Sequence, residues 1–504
     1  MADDMGYSDI GCYGGEIRTP QLDRLAEDGL RFTQFYNTGR CCPTRASLLT
    51  GLYPHEAGLG HMVYGDKGAG YHPYLTKECV TIAEVLQDAG YRTMMTGKWH
   101  VGHQRGQWPV DRGFEHFYGI HIHVDSYFKV LPGCPVYHNR TLVIPPTAEP
   151  ENTLHPGEEW YTTDVFTDWA LKFLDDASRD DRPFFLYTAY NSPHWPLEAP
   201  DENIAHYKGR YKQGWDVLRK EKLVRMKQLG LISKATDLSP SNCPEWNSLK
   251  EEDQLELAFR REIYAAQVER MDQNIGRIVA KLRELNQLDN TLLIFLSDNG
   301  CCAEGGMFGY QWGKNTTANF QDWRKQSGRS SSTGEAWSNA SNTPFRMHKR
   351  WVHEGGISTP LIVHWPDKIS KGGHLSRQVG HVIDIMATCL DVAEATYPEQ
   401  RGGMIVKPFR GVSLLPNFNN VLLNNHRTLF WEHETHSAIR EGDWKLVTLN
   451  AREDHSWELY DMSASRIEVQ NLAEQYPDRV RSMKTQWKTW AEKADVLPWP
   501  QSRK

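Results

Sequence analysis

Four polar clusters each stand at the start of the chain or directly after an apolar run, and together they could do chemistry. Asp3-Asp4 opens the chain, and Gly97-Lys98-Trp99-His100 follows a run ending near Thr96. Asn191-Ser192-Pro193-His194 follows residues 183–190, and Ser297-Asp298-Asn299-Gly300 caps a run ending at Leu296. In open α/β sheets, ligands collect at the carboxyl ends of strands. These clusters supply three Asp, two Asn, one Lys and two His, an oxygen-rich set suited to a hard divalent cation such as calcium or magnesium. Taken singly, each reads as a helix cap or turn; their joint occurrence points to a site. A fifth stretch, Cys41-Cys42-Pro43-Thr44-Arg45-Ala46-Ser47-Leu48-Leu49-Thr50-Gly51, predicts a short helix beginning at Cys41 or Cys42. A thiol there is acidified by the helix dipole, and Arg45 one turn on adds to the effect. Two readings stay open on this segment: a nucleophilic cysteine, or a buried cysteine in a helix-capping turn.

The elements that must position these groups alternate in kind. Thr19-Pro20 to Gly29 and Thr81 to Gly90 read as capped helices, and Tyr91–Thr96 as a strand. A helix over 163–177 precedes the β-rich run at 183–187, and a long helix from Glu251 to about Leu285 precedes Thr291–Leu296. Pro360–Val363 is a further short strand, with a helix near 379–393, whereas 328–343 reads as a loop. Strands alternating with helices predict an α/β fold, a large and mostly parallel sheet flanked by helices. After about residue 420 the texture changes to short strands at 428–431, 437–439 and 444–447 and one helix at 476–493. The division expected is therefore 1–420 for the catalytic domain and 421–504 for a smaller α+β subdomain.

Composition narrows the class. With 504 residues, a net charge of −7 and 24% charged residues, the chain reads as a globular enzyme rather than a disordered or fibrous one. No apolar stretch reaches the ~20 residues of a membrane helix, and the mild acidity argues against a nucleic-acid groove. Nine scattered cysteines with no C-x-x-C pair do not form a disulfide framework or an obvious zinc site.

The pattern C-x-P-x-R followed by Thr-Gly resembles the signature of the type I, formylglycine-dependent sulfatases of the alkaline phosphatase superfamily. Ala2–Asp9, Gly97–Gly102, Ser192-Pro193-His194, Ser297–Gly300, His353–Ile357, Gly442–Leu446 and Trp457–Asp461 resemble family motifs in family order, across nearly the whole chain. The resemblance implies a sulfuric ester hydrolase acting on an aryl or carbohydrate sulfate. It implies that Cys41 is oxidised to formylglycine by a formylglycine-generating or anaerobic maturation enzyme. It implies one calcium ion held by Asp3, Asp4, Asp298, Asn299 and the modified residue 41. Arg45 would hold the hydrated aldehyde and the metal-side carboxylates, and Lys98 and Lys349 would grip the sulfate. His100 would break the covalent intermediate, and His194 would stand near the leaving oxygen. Cys42 cannot take the role of Cys41, because Pro43 then follows directly and the spacing fails.

Three further expectations follow. In relatives a hydrophobic strand behind a signal peptide leads into the Asp-Asp pair, so this chain is expected to be a shortened start and the full-length protein to be periplasmic or secreted. The rival functions are a phosphonate monoester or phosphodiester hydrolase of the same superfamily, and a non-catalytic glycan-binding homologue. His121-Ile122-His123 with Asp125 has metal-like spacing, although lining a substrate pocket or an exposed loop suits it better; Trp312 and Trp351 are candidates for stacking on a ring.

Overall fold

The apolar runs that precede the polar clusters all become strands. The computed structural model describes residues 1–500 apart from 132, 145–149, 311–330, 420, 422, 424–426 and 453–455; Trp312 lies outside the described residues. The first nine strands are β1 (Leu30–Tyr36), β2 (Arg92–Lys98), β3 (His116–Ile120), β4 (Val136–His138), β5 (Thr141–Ile144), β6 (Phe184–Ala189), β7 (Leu293–Leu296), β8 (Ser358–His364) and β9 (His374–His381). They form two sheets, in the orders β5-β4-β3-β2-β6 and β7-β8-β1-β9.

The chain start joins these sheets. Ala2 makes a parallel bridge with Ser297, and its N–H donates to the Leu296 carbonyl at 2.9 Å. On the other side the Met1 ammonium donates to the Thr188 carbonyl at 2.8 Å, while Tyr190 N–H donates to Met1 and Asp3 N–H to Ser192. Met1–Asp3 thus runs between the ends of β6 and β7, bonded to both, which delivers Asp3 and Asp4 to the carboxyl end of the sheet. Behind Met1, between the facing edges of β6 and β7, runs a cavity of about 720 Å³ lined by Leu48, Leu174, Phe184, Leu186, Leu282 and Ile294 among others.

The α/β architecture stands, but the sheets are mixed rather than mostly parallel. β2 is parallel to β3 and β6, and β1 to β9, whereas β3-β4-β5 is antiparallel and β8 runs against both β7 and β1. Two features of the connections explain this. The two-residue turn at Asn139-Arg140 can join only antiparallel strands. The excursion 297–357 leaves and returns at the same end of the sheet, where Thr359 and Ser297 exchange hydrogen bonds, so β8 must run back.

Helices cover both faces. On one side α1 (Pro20–Asp28), α4 (Thr162–Ala177), α6 (Gly214–Gln228) and α7 (Glu251–Glu284) bury Leu22, Phe166, Trp215 and Met271. On the other, α2 (Cys41–Thr50), α3 (Ile82–Asp88) and α10 (Asp384–Ala393) bury Leu49, Val85 and Met386. Thr81 and Glu84 make a reciprocal capping box at α3, as the sequence foretold. Two local readings change: residues 379–381 belong to β9, so the helix begins at Asp384, and α8 (Gly334–Ser341) occupies half of the expected loop 328–343, whose first three residues lie outside the described ones. Short elements α5 (Asp201–Ala205), α9 (Glu354–Ile357) and a hairpin of β10 (Gln400–Arg401) with β11 (Met404–Ile405) complete this part.

Beyond it β12 (Thr428–His433), β13 (His436–Glu441), β14 (Trp444–Thr448) and β15 (Glu458–Asp461) form an antiparallel sheet in that order. Helix α11 (Pro477–Lys493) covers one face through Met483, Trp487 and Ala491. The other face packs Leu429, Trp431 and Val447 onto Tyr36, Ile357 and Ile383. Among the described residues no helix is long and apolar enough to cross a membrane.

The cavity between β6 and β7 generates a prediction. Appending five residues of alternating Val, Ile and Phe ahead of Met1 should lay a strand in this lane and raise the thermal midpoint by a few degrees. Each apolar side chain buried contributes on the order of 1.5–3 kcal/mol before ordering costs. An unchanged or lower midpoint by calorimetry would mean that the lane does not accept a strand.

Candidate active site

Helix α2 presents Cys41 as its first residue, with Arg40 in extended conformation as the cap. All ten residues of the helix are buried, and Gly51 closes it at φ 69°, its N–H returning to the Ser47 carbonyl. The Cys41 sulfur lies within 4.8 Å of the Cys42 sulfur and a His100 ring nitrogen. A hydrogen bond from the Cys42 thiol, then the Lys98 charge and His100, hold the Cys41 thiol well below its ordinary range against the opposing effect of burial. Burial and Lys98 press His100 down to about 3, so its ring is neutral. His100 sits at φ 58°, just past β2, which turns the ring away from the strand direction toward Cys41.

Arg45, one turn along α2, is buried and donates from Nε and Nη2 to Asp298 Oδ2 at 3.1 and 2.8 Å, and from Nη1 to the Lys98 carbonyl at 2.7 Å. Lys98 Nζ donates to Asp3 Oδ2 at 2.6 Å. Across the cluster, Lys349 Nζ donates to Asp4 Oδ2 at 2.7 Å and lies 3.3 Å from His194 Nε2. Asn299 Nδ2 donates to Asp4 Oδ1 at 2.7 Å, and Asp4 N–H donates to Asp298 Oδ1. The structure therefore brings together the ten residues that the resemblance assigned to the site: Asp3, Asp4, Cys41, Arg45, Lys98, His100, His194, Asp298, Asn299 and Lys349.

The donor set fits a hard cation. Three buried carboxylates, Asp3, Asp4 and Asp298, converge with the Asn299 amide, and two of their oxygens, Asp3 Oδ1 and Asn299 Oδ1, are buried without a partner. Burial, and after it the adjacent Asp3 charge, push the Asp298 carboxyl well above its ordinary range. Oxygen-only ligands of this kind select calcium or magnesium over softer metals. Arg45, Lys98 and Lys349 already balance the three carboxylates one for one. An added dication would leave the pocket positive, matched to an anionic ester.

Other residues join the rim without a signal in the sequence. Glu304 bridges Arg40 at 2.9 Å, Lys349 at 3.7 Å and the Trp195 indole N–H at 2.7 Å. Its place six residues after Asp298 carried no pattern of its own. The pair His121 and His123 is split. His121 is buried in a stack with Trp108 and Tyr137, at centroid distances of 4.5 and 4.4 Å, while His123 faces Asp125 at 3.1 Å and stands 6.5 Å from the His100 ring. Trp351 stacks on His436 at 4.2 Å. Glu354, part of the His353–Ile357 motif, holds Tyr36, Lys445 and Arg466, and so ties the end of β1 and the start of α9 to the C-terminal sheet.

Comparison with known proteins shows the family of the chain. The family model described as Sulfatase matches residues 1–395, and one described as N-sulphoglucosamine sulphohydrolase, C-terminal, matches 345–493. An uncharacterized sulfatase of Schizosaccharomyces pombe is 34% identical, covering 99% of this chain and 94% of its own length. An arylsulfatase of Klebsiella aerogenes is also 34% identical, over 82% and 90%. The human N-acetylgalactosamine-6-sulfatase is 28% identical, over 88% and 70%. A solved structure of Ps i-CgsB in complex with k-i-k-neocarrahexaose shares the fold at a TM-score of 0.71 and 24% identity, covering all of this chain and 94% of that one.

If the oxygen cluster holds calcium, adding calcium chloride should stabilise the protein by ~2.7 kcal/mol at a hundredfold excess over Kd. The thermal midpoint should rise accordingly, and Asp298→Ala should abolish the rise. A midpoint indifferent to calcium and to chelator would remove the cation from this site.

Proposed function

The chain belongs to the sulfatase family and is a sulfate ester hydrolase, and we propose that it releases sulfate from an aryl or carbohydrate sulfate monoester by means of a formylglycine made from Cys41. The observation that carries this reading is the position of Cys41. It starts a buried helix, with Lys98, His100 and the Arg45–Asp298 pair gathered around it. The aldehyde, in its hydrated form, supplies the attacking oxygen, and one calcium ion held by Asp3, Asp4, Asp298 and Asn299 supplies positive charge beside it.

The remaining work falls to this chain's own side chains. A sulfate monoester carries one negative charge, and more develops on its leaving oxygen in the transition state. Lys98 and Lys349 enter from opposite sides of the carboxylate cluster and grip the sulfuryl oxygens as fixed, desolvated cations. Arg45 spends its donors on Asp298 and the Lys98 carbonyl, so its role is to hold α2 against β2 and keep residue 41 in line. His194, with Lys349 at 3.3 Å, stands where a proton can pass to the departing oxygen. Neutral His100, beside residue 41, accepts the proton whose removal expels sulfate and returns the aldehyde. The partners are thus a sulfated small molecule or saccharide and a formylglycine-generating or anaerobic maturation enzyme.

The test starts with protein co-expressed with a formylglycine-generating enzyme. Peptide mass spectrometry should show the Cys41 thiol replaced by a carbonyl oxygen and Cys42 unchanged. Aryl sulfate turnover should exceed phosphodiester turnover, and Cys41→Ala should lower kcat on the order of 10⁴-fold or more. Unmodified Cys41 in a folded, calcium-binding protein would sink the nucleophile assignment, and faster phosphodiester turnover would sink the substrate class.

A further inference from the structure

We propose that His61, His433 and Glu434 form a binding site for a borderline transition-metal dication of the zinc class, distinct from the oxygen-rich cluster at Asp3, Asp4, Asp298 and Asn299. The three residues come from two distant parts of the chain. His61 lies on the loop after α2, His433 ends β12, and Glu434 opens the two-residue turn into β13. His61 Nε2 is 3.1 Å from Glu434 Oε1, and His433 Nε2 is 3.8 Å from the same oxygen. One ligand atom from each residue lies within 4.8 Å of the other two. The two imidazoles stack with centroids 5.5 Å apart and planes at 15°, which aligns them side by side. Two imidazoles and one carboxylate are the ligand types of three-residue zinc sites, whose bonds of ~2.0–2.2 Å can span both separations.

A second observation points to an ion. His433 is 0% exposed, and neither of its ring nitrogens has a hydrogen-bond partner. Leaving a buried polar group unsatisfied costs ~1–3 kcal/mol. At 3.8 Å, Nε2 is too far to donate to the carboxylate. A lone pair facing that carboxylate would be repelled by it, and a cation between them removes both problems.

The surroundings prepare the ligands. Burial keeps His433 neutral, the protonation state a metal requires. Burial works to raise the Glu434 carboxyl, but the His61 hydrogen bond and the charges of Arg350 and Arg40 outweigh it and keep the group ionised. Arg350 holds Glu434 Oε2, leaving Oε1 to face the imidazoles, an outer-shell contact that fixes the carboxylate's orientation. The turn that carries Glu434 has φ 49° there and 73° at Thr435, left-handed values uncommon for residues other than glycine. Arg350 N–H donates to the Gly39 carbonyl, and Lys349 precedes it, so the site flanks the catalytic pocket.

The full chain is tested with zinc chloride alone. Anomalous diffraction at the zinc edge from crystals grown with it should place a peak between the three side chains. In equilibrium dialysis, His433→Ala and Glu434→Gln should each bind one zinc equivalent fewer than the parent. Glu434 is part-exposed, so its variant serves if His433→Ala misfolds. Two other clusters offer soft ligands, His123 with Asp125 and Cys134, and Cys41 with Cys42 and His100. Anomalous peaks confined to those, or zinc content equal in parent and variants, would overturn the proposal.

Discussion

Buried charge, and the need to pair it, is the constraint on which this structure depends. Asp3, Asp4 and Asp298 sit together with almost no solvent contact. Buried ions cost several kcal/mol each unless partners compensate. Arg45 answers Asp298, Lys98 answers Asp3, and Lys349 answers Asp4. Those cations arrive from a helix, a strand end and a loop more than 300 residues apart in the chain. The site can assemble only if the whole sheet closes, because each carboxylate needs a partner from another element. The same pairing holds three cations in fixed positions around the carboxylates.

Two further ionic clusters extend this principle away from the site. Behind the Asp3-Asp4 turn, Asp9 and Glu16 face Lys222 and Arg261, all four buried. Lysine and arginine from α6 and α7 thereby pin the loop that follows Asp3 and Asp4. At the other end Glu354 receives Tyr36, Lys445 and Arg466, and Glu468 pairs with the same lysine. The segment carrying Lys349 and Arg350 therefore runs into an ionic joint between the catalytic sheet and the C-terminal sheet. The small sheet is part of the site's support, and its β12–β13 turn reaches the pocket rim.

Much of this was legible in the residues. The helix beginning at Cys41, the strand ends at Lys98, Ala189 and Leu296, the long α7 and the C-terminal α+β texture all follow from local signals such as caps, apolar periodicity and turn residues. Lys98, His100, His194, Asp298 and Asn299 could be named because they follow apolar runs, and strand ends are where α/β proteins bind ligands; Asp3 and Asp4 open the chain, Cys41 and Arg45 belong to a helix start, and Lys349 came from the family resemblance alone. Local signals also misled in places. Alternation of strands and helices implied parallel pairing, but direction depends on where a connection returns, and the 297–357 excursion returns to the end it left. The Gly, Ser and Asn content of 328–343 read as a loop, yet packing of Trp337 beside Trp215 and Trp246 stabilises a helix there.

The sequence by itself determined which residues are candidates for chemistry and, for most of them, which short element they follow or begin, because caps, turns and periodicity act over a few residues. Only the tertiary structure decided that Met1–Asp3 lies between β6 and β7, that Glu304 bridges Arg40 and Lys349, that His121 belongs to the core while His123 faces His100, and that His61 meets His433 and Glu434. Each of these depends on pairings between segments tens to hundreds of residues apart. Such pairings are selected by burying apolar faces and matching buried charges over the whole domain, and no local stretch of sequence encodes them.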